Sequence, residues 1–217
     1  MTTMRRILCS ICLMAFVLLP VWAQEEQTIS PFLFDEYKDA TVFMGATQAK
    51  GKMNFYIPTG EFFYMDETDG NRVKVLANVE QVNMIRFGSR IFLPSEKGGV
   101  EVLSSEPLLY VKYQASIRNK GKQVGYGGTS SLGSIKSFSV NSSGTSYVSD
   151  PMIFEVGHLY NTYYIGKKQK EIKNMKQLLK FYAKHKETLE EYMKEKDIKF
   201  DNALQMLQLV QYANSLK

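Results

Sequence analysis

Met53-Asn54-Phe55-Tyr56-Ile57, then Pro58-Thr59-Gly60, then Glu61-Phe62-Phe63-Tyr64-Met65: two aromatic, β-prone runs stand on either side of a Pro/Gly turn. Short runs of this composition, closed by such a turn, read as neighbouring antiparallel strands. The same grammar extends outward. Thr41-Val42-Phe43-Met44 precedes the pair. Arg72 to Leu76, Val82 to Phe87, Arg90 to Leu93, Val100 to Leu103 and Leu108 to Tyr113 follow it. Turn signals separate them at Asp69-Gly70-Asn71, Gly88-Ser89 and Gly98-Gly99. Arg72-Val73-Lys74-Val75 shows the period-2 alternation of a half-buried strand. Residues 40 to 117 therefore predict an antiparallel β sandwich or small barrel.

Beyond the strands the composition changes. Residues 119 to 146 hold six Gly and eight Ser in 28 positions, which predicts a long loop inside the β-rich part. Strand-like text returns at Pro151 to Val156 and at 159 to 165. From Lys167 the period becomes helical. Met175, Leu178, Leu179 and Tyr182 share one face, Leu189, Tyr192 and Met193 a second, and Leu204, Leu207 and Val210 a third. Asp201 reads as the N-cap of the last helix. Residues 167 to 217 carry twelve Lys against seven acidic residues, whereas 24 to 166 carry thirteen basic and fifteen acidic ones. The fold class expected is α+β: an antiparallel β sandwich or small barrel over residues 24–166, followed by three short C-terminal helices over 167–217.

The amino terminus decides the compartment. Arg5-Arg6 precedes an apolar run of about fifteen residues, Ile7 to Val21, and Val21-Trp22-Ala23 suits signal peptidase. Residues 1–23 read as a cleaved signal peptide. The run is shorter than the roughly 20 residues a spanning helix needs, and Pro20 interrupts it. Both cysteines and the single Trp lie in this segment. The mature chain then has no disulfide, no thiol nucleophile and no thiolate metal site, and its core alone must hold it. The cysteine-free export favours a bacterial periplasm, envelope or extracellular location, with no integral span after cleavage.

Candidate chemistry is sparse. His158 and His185 lack ligand spacing, so no metal and no cofactor is expected. Gly127-Gly128-Thr129-Ser130-Ser131-Leu132-Gly133 approaches the nucleophile elbow but offers neither Ser130 nor Ser131 a glycine on both sides. Asp35-Glu36, Asp66-Glu67 and Glu190-Glu191 read as solvated pairs, although a glycosidase would need two carboxyls facing across a cleft. Phosphate-binding glycine motifs are missing, and the Lys of the tail is interleaved with Glu, so no nucleic-acid partner is expected. The aromatic clusters read as sheet core and cross-strand pairs, against a sharper reading as a strip for sugar or peptide. Tyr126 would sit at a loop tip.

Ser30-Pro31-Phe32-Leu33-Phe34-Asp35-Glu36-Tyr37, the segment Gly125-Tyr126-Gly127-Gly128-Thr129-Ser130, and the tail from Lys167 through Tyr212-Ala213-Asn214 resemble a family of uncharacterised exported β-rich proteins of Bacteroidetes with a helical tail. The resemblance implies an envelope location and brings no activity with it. The expectation is an exported, non-catalytic envelope protein that binds a protein or cell-surface glycan. Tyr126, Gly127, Gly128, Thr129 and Ser130 are its expected contact residues. The alternative is a hydrolase of an envelope or dietary polymer, using Ser130 or Ser131, or Asp66 with Glu67. A small outer-membrane barrel fits less well, because charges alternate within the strands and the tail is helical.

Overall fold

A computed structural model describes residues 29–119, 122–124, 128–130 and 154–217. Ten strands form one antiparallel sheet: β1 (Lys38–Met44), β2 (Thr47–Tyr56), β3 (Glu61–Asp66), β4 (Arg72–Val75), β5 (Met84–Phe87), β6 (Arg90–Leu93), β7 (Val100–Ser105), β8 (Leu108–Asn119), β11 (Phe154–Ile165) and β12 (Lys170–Ile172). Their order is β12-β11-β8-β7-β6-β5-β1-β2-β3-β4. Two further strands, β9 (Lys122–Val124) and β10 (Gly128–Ser130), pair with each other. Three helices complete the described chain: α1 (Met175–Phe181), α2 (Lys186–Glu195) and α3 (Ala203–Ser215). The α+β class, the antiparallel sheet and the three C-terminal helices are as the sequence predicts. No helix among the described residues is long and apolar enough to cross a membrane.

The β2–β3 pair shows why its sequence is apolar on both faces. Phe55 opposes Phe62, and Asn54 opposes Phe63. Phe55 and Phe62 point into the concave face, with ring centroids 5.0 Å apart. Phe63 and Tyr56 point the other way, where Phe32 covers them at 5.7 and 5.2 Å. The covering segment is tied down by its backbone. Leu33 N–H donates to the Phe55 carbonyl and Ile57 N–H to that of Pro31, both at 2.9 Å. The Asn54 carboxamide accepts from Phe34 N–H at 3.2 Å and donates to the Phe34 carbonyl at 2.8 Å. A strand covered on both faces does not alternate, which is the text of 61 to 65.

The sheet curls over itself at this end. Three strands, β5, β1 and β2, lie between β6 and β3 in the order, yet the Phe62 and Phe92 rings lie 5.8 Å apart. Phe87 and Phe55 complete the cluster at 5.5 and 5.7 Å from Phe92. Gly99 N–H donates to the Gly60 carbonyl at 2.8 Å, clasping the turn before β7 to the β2–β3 turn. A Cβ on Gly99 would stand 2.8 Å from a Phe62 ring carbon, so the clasp needs glycine there.

At the other end the helices replace the curl. Leu109, Val111, Tyr163, Ile165 and Ile172 face Leu178, Leu189, Met206, Leu209, Val210 and Ala213 in a second core. Tyr113 packs against both cores. Several details differ from the sequence reading. The third helix buries Met206, Leu209, Val210 and Ala213, while Leu204 is 69% exposed. Both sets have helical spacing, and the one that meets the sheet wins. Asn202, not Asp201, caps this helix, its Oδ1 accepting from Leu204 and Gln205 N–H at 3.1 Å each. Residues 170–172, read as the start of helical text, add a short edge strand. The strand-like runs flanking Gly157 belong to one strand, β11, with a register shift between Val156 and His158. That shift is a β-bulge, which places one extra residue on β11.

Candidate functional site

Where the two cores meet, the segment 198–202 crosses the sheet between α2 and α3. It is held from below. Tyr163 Oη donates to the Phe200 carbonyl at 2.8 Å, and Asn161 Nδ2 donates to the Asp201 carbonyl at 2.7 Å. It is held from above by Lys199 N–H, which donates to Gln205 Oε1 at 2.8 Å. A hollow opens on each side of this crossing, and Lys199 and Asp201 border both.

The first hollow, of about 570 Å³, is lined by Arg90, Glu101, Leu103, Tyr113, Asn202 and Leu204, among others. β6, β7 and β8 bring its polar groups together, because Phe92 opposes Glu101 and Glu101 opposes Val111, two residues before Tyr113. Glu101 is only 3% exposed. Its carboxylate accepts from Arg90 Nε at 2.6 Å and Nη2 at 2.8 Å, and from Tyr113 Oη at 2.5 Å. The Arg90 guanidinium lies over the Phe34 ring at 4.9 Å and the Phe92 ring at 5.4 Å. Its planar fork is thus matched by a carboxylate and flanked by aromatic faces, the setting in which arginine is strongest. Burial, with the Glu101 charge beside it, pushes the Tyr113 hydroxyl far above its ordinary pKa. Tyr113 is therefore a neutral donor at every working pH.

The second hollow, of about 700 Å³, opens where β12 ends and β11 continues. Tyr160, Thr162, Met175, Met193, Ile198 and Phe200 line it, with Lys173 and Lys199 at its border. Its lining is largely apolar, and Thr162 Oγ1 is already bonded to Gln114 Oε1 at 2.7 Å. Concave, mostly apolar sites with a few fixed polar groups are where ligands bind.

The sequence-predicted residues lie elsewhere. Tyr126, Gly127 and Ser131 fall outside the described residues. Gly128, Thr129 and Ser130 form β10, opposite Val124, Gln123 and Lys122. Asp66 is an ion-pair partner: Lys74 Nζ stands 2.7 Å from its Oδ2, and Thr68 donates to its Oδ1 through Oγ1 at 2.6 Å and N–H at 3.0 Å. Glu67 opens a single 3-10 turn beside it. His158 lies within β11 and meets Ser116, whose Oγ is 2.6 Å from Nδ1. The same Oγ accepts the His158 backbone N–H at 2.9 Å, so Ser116 stitches the bulge to β8. His185 sits in a short turn between α1 and α2. Among the described residues no three His, Cys, Asp or Glu side chains group as a metal site.

Arg90, Glu101 and Tyr113 were not singled out by sequence reasoning. The one usable signal was a carboxylate between two valines in Val100-Glu101-Val102. Compared with known proteins, the chain matches no family model, no curated protein and no solved structure.

Proposed function

We propose that this is an exported, non-catalytic protein of the bacterial envelope whose role is to bind a protein or cell-surface polymer at the hollows on either side of the 198–202 crossing. The observation that carries the reading is the state of the polar groups in the first hollow. The Glu101 carboxylate is spent on Arg90 and Tyr113, and the hydroxyl of Tyr113 is locked as a donor. Such a set shapes and rigidifies a surface; proton transfer needs a group poised near the working pH. The amino-terminal signal pattern, the cysteine-free mature sequence and the resemblance to exported Bacteroidetes proteins support the location. Cross-linking in intact cells of the source organism, followed by fractionation, tests the reading. The expected result is recovery in the envelope fraction, starting at Gln24, with a cross-linked partner. Intact chain in the cytosol, or an envelope form with no partner, overturns it.

The hydrolase alternative has one contact in its favour, the Ser116–His158 pair at 2.6 Å. A nucleophile also needs oriented base and oxyanion donors. Here the Ser116 oxygen is engaged by the His158 backbone N–H. A fluorophosphonate probe is expected to leave the protein unlabelled. Labelling that disappears in Ser116→Ala would move the assignment to the hydrolase.

A further inference from the structure

In the first hollow Glu101 and Tyr113 are spent on their neighbours; in the second, polar groups are left over. Asn161 is only 8% exposed. Its Nδ2 donates to the Asp201 carbonyl at 2.7 Å and to Tyr163 Oη at 3.2 Å. A backbone carbonyl can only accept, so this contact fixes which end of the carboxamide is nitrogen. The Oδ1 end accepts no hydrogen bond among the described residues, and Asn161 lines the hollow. Buried carboxamide oxygens normally have a donor, so this one calls for a partner. Gln114 is the converse case. Its Oε1 accepts from Thr162 Oγ1 at 2.7 Å, and its Nε2 donates to nothing among the described residues. The Asp201 carboxylate also accepts no hydrogen bond among them. These groups share the hollow with the apolar Met175, Met193, Ile198 and Phe200, and with Tyr160, whose ring is at a residue 41% exposed.

We propose that the second hollow holds a neutral pyranose unit of a cell-surface glycan. Charge selects neither sign there. Lys173 is paired with Glu171 at 3.2 Å and Lys199 with Asp197 at 2.7 Å, while Asp201 lines the same hollow. A sugar hydroxyl donates and accepts at once, as the lining requires: it gives a proton to Asn161 Oδ1 or Asp201 and takes one from Gln114 Nε2. The C–H face of the ring packs on the methionines, Ile198 and the aromatic side chains, whose contribution is apolar area. The hollow, about 700 Å³, is of the size that takes a small ligand, about 300–1,000 Å³. An extended peptide fits less well. Asn161 and Thr162 are 8% and 4% exposed, and the register of β11 shifts between Val156 and His158, so the strand offers no regular open edge. The inference rests on the reading of the protein as a binder, and it names the chemistry of what is bound.

The test is a printed array probed with the purified full-length protein. It carries neutral oligosaccharides of glucose, galactose, mannose and N-acetylglucosamine, anionic ones of uronic acids, and cationic ones of glucosamine. Binding to neutral members alone is expected. Titration with the best of them should move the side-chain amide NMR signals of Asn161 and Gln114. Asp201→Ala and Tyr160→Ala, both at exposed positions, should fold as the parent does and each bind about tenfold more weakly. A blank array, binding confined to charged members, unmoved Asn161 and Gln114 signals, or undiminished binding by both variants overturns the proposal. So does a phage-selected peptide that moves those signals while the array stays blank, which gives the hollow to a protein. A protein partner cross-linked in cells beside a blank array sinks this inference and leaves the binding role standing. A blank array with no partner in cells removes the reading beneath it.

Discussion

At the scale of single residues, two carboxylates carry consequences, one buried and one partly exposed. Glu101 and Arg90 form a pair in which removing one partner strands the other. Glu101→Ala is expected to cost about 3 kcal/mol, the low end for breaking a buried pair because Arg90 keeps some contact with water. Urea unfolding should show a lower midpoint at unchanged slope. An unchanged midpoint would show that the pair contributes nothing. Asp66 behaves differently. The Lys74 ammonium and the Thr68 donors hold its pKa at about 2, against an ordinary 3.8. A depressed carboxyl stabilises the fold above its unfolded pKa and loses that contribution as the pH falls through its folded one. Stability should therefore drop between about pH 4 and pH 2, and Asp66→Asn should flatten that limb. A wild-type limb no steeper than the variant's would refute the assignment. These residues also show where reading a pattern fails. Val100-Glu101-Val102 and Arg72-Val73-Lys74-Val75 alternate, and period 2 states that neighbours point to opposite faces. It does not state which face is inside. The structure buries Glu101, and Lys74 is 7% exposed, while Val73, Val75, Val100 and Val102 are half-buried. The inward charges are tolerated because ion partners lie on adjacent strands or turns, and cross-strand partners are invisible along one strand.

At the scale of elements, caps and close approaches make sharper tests. Asn202→Ala should cost about 1 kcal/mol by removing the oxygen that accepts from two helical N–H groups. Asp201→Ala should be close to neutral, since Asp201 contributes its backbone carbonyl to Asn161. Thermal unfolding of the two variants separates them, and equal effects would place the cap wrongly. Gly99→Ala pushes a methyl into the Phe62 and Phe55 rings, at 2.8 and 3.1 Å, and should cost about 1–3 kcal/mol. Strand identity and turn positions were legible from local composition, because each is decided within a few residues. The last helix's buried stripe was not. Leu204, Leu207 and Val210 satisfy helical spacing as well as Met206, Leu209, Val210 and Ala213 do. α3 is apolar enough for two stripes, and burial in the core that it shares with Val111 and Tyr163 selects one.

At the scale of the whole molecule, the two cores are coupled through Tyr113, which packs on both. Unfolding should be a single transition, with the helical far-UV signal and the near-UV tyrosine signal lost together. Two separated midpoints would show independent halves. A chain ending at Ile172 should be insoluble, because Leu109, Val111, Tyr163 and Ile165 would lose their cover. The amino-acid sequence alone determined the class of each segment: short antiparallel strands, a Gly/Ser-rich stretch, a lysine-rich helical end. Propensity, periodicity and turn chemistry are local properties, so they can be read in order along the chain. Only the tertiary structure decided that β3 curls back over β6, that 198–202 crosses the sheet, and that Arg90, Glu101 and Tyr113 meet beside it. Those contacts join residues from different strands and from the tail. Their energy depends on burial and on partners brought close by folding, which no local pattern encodes.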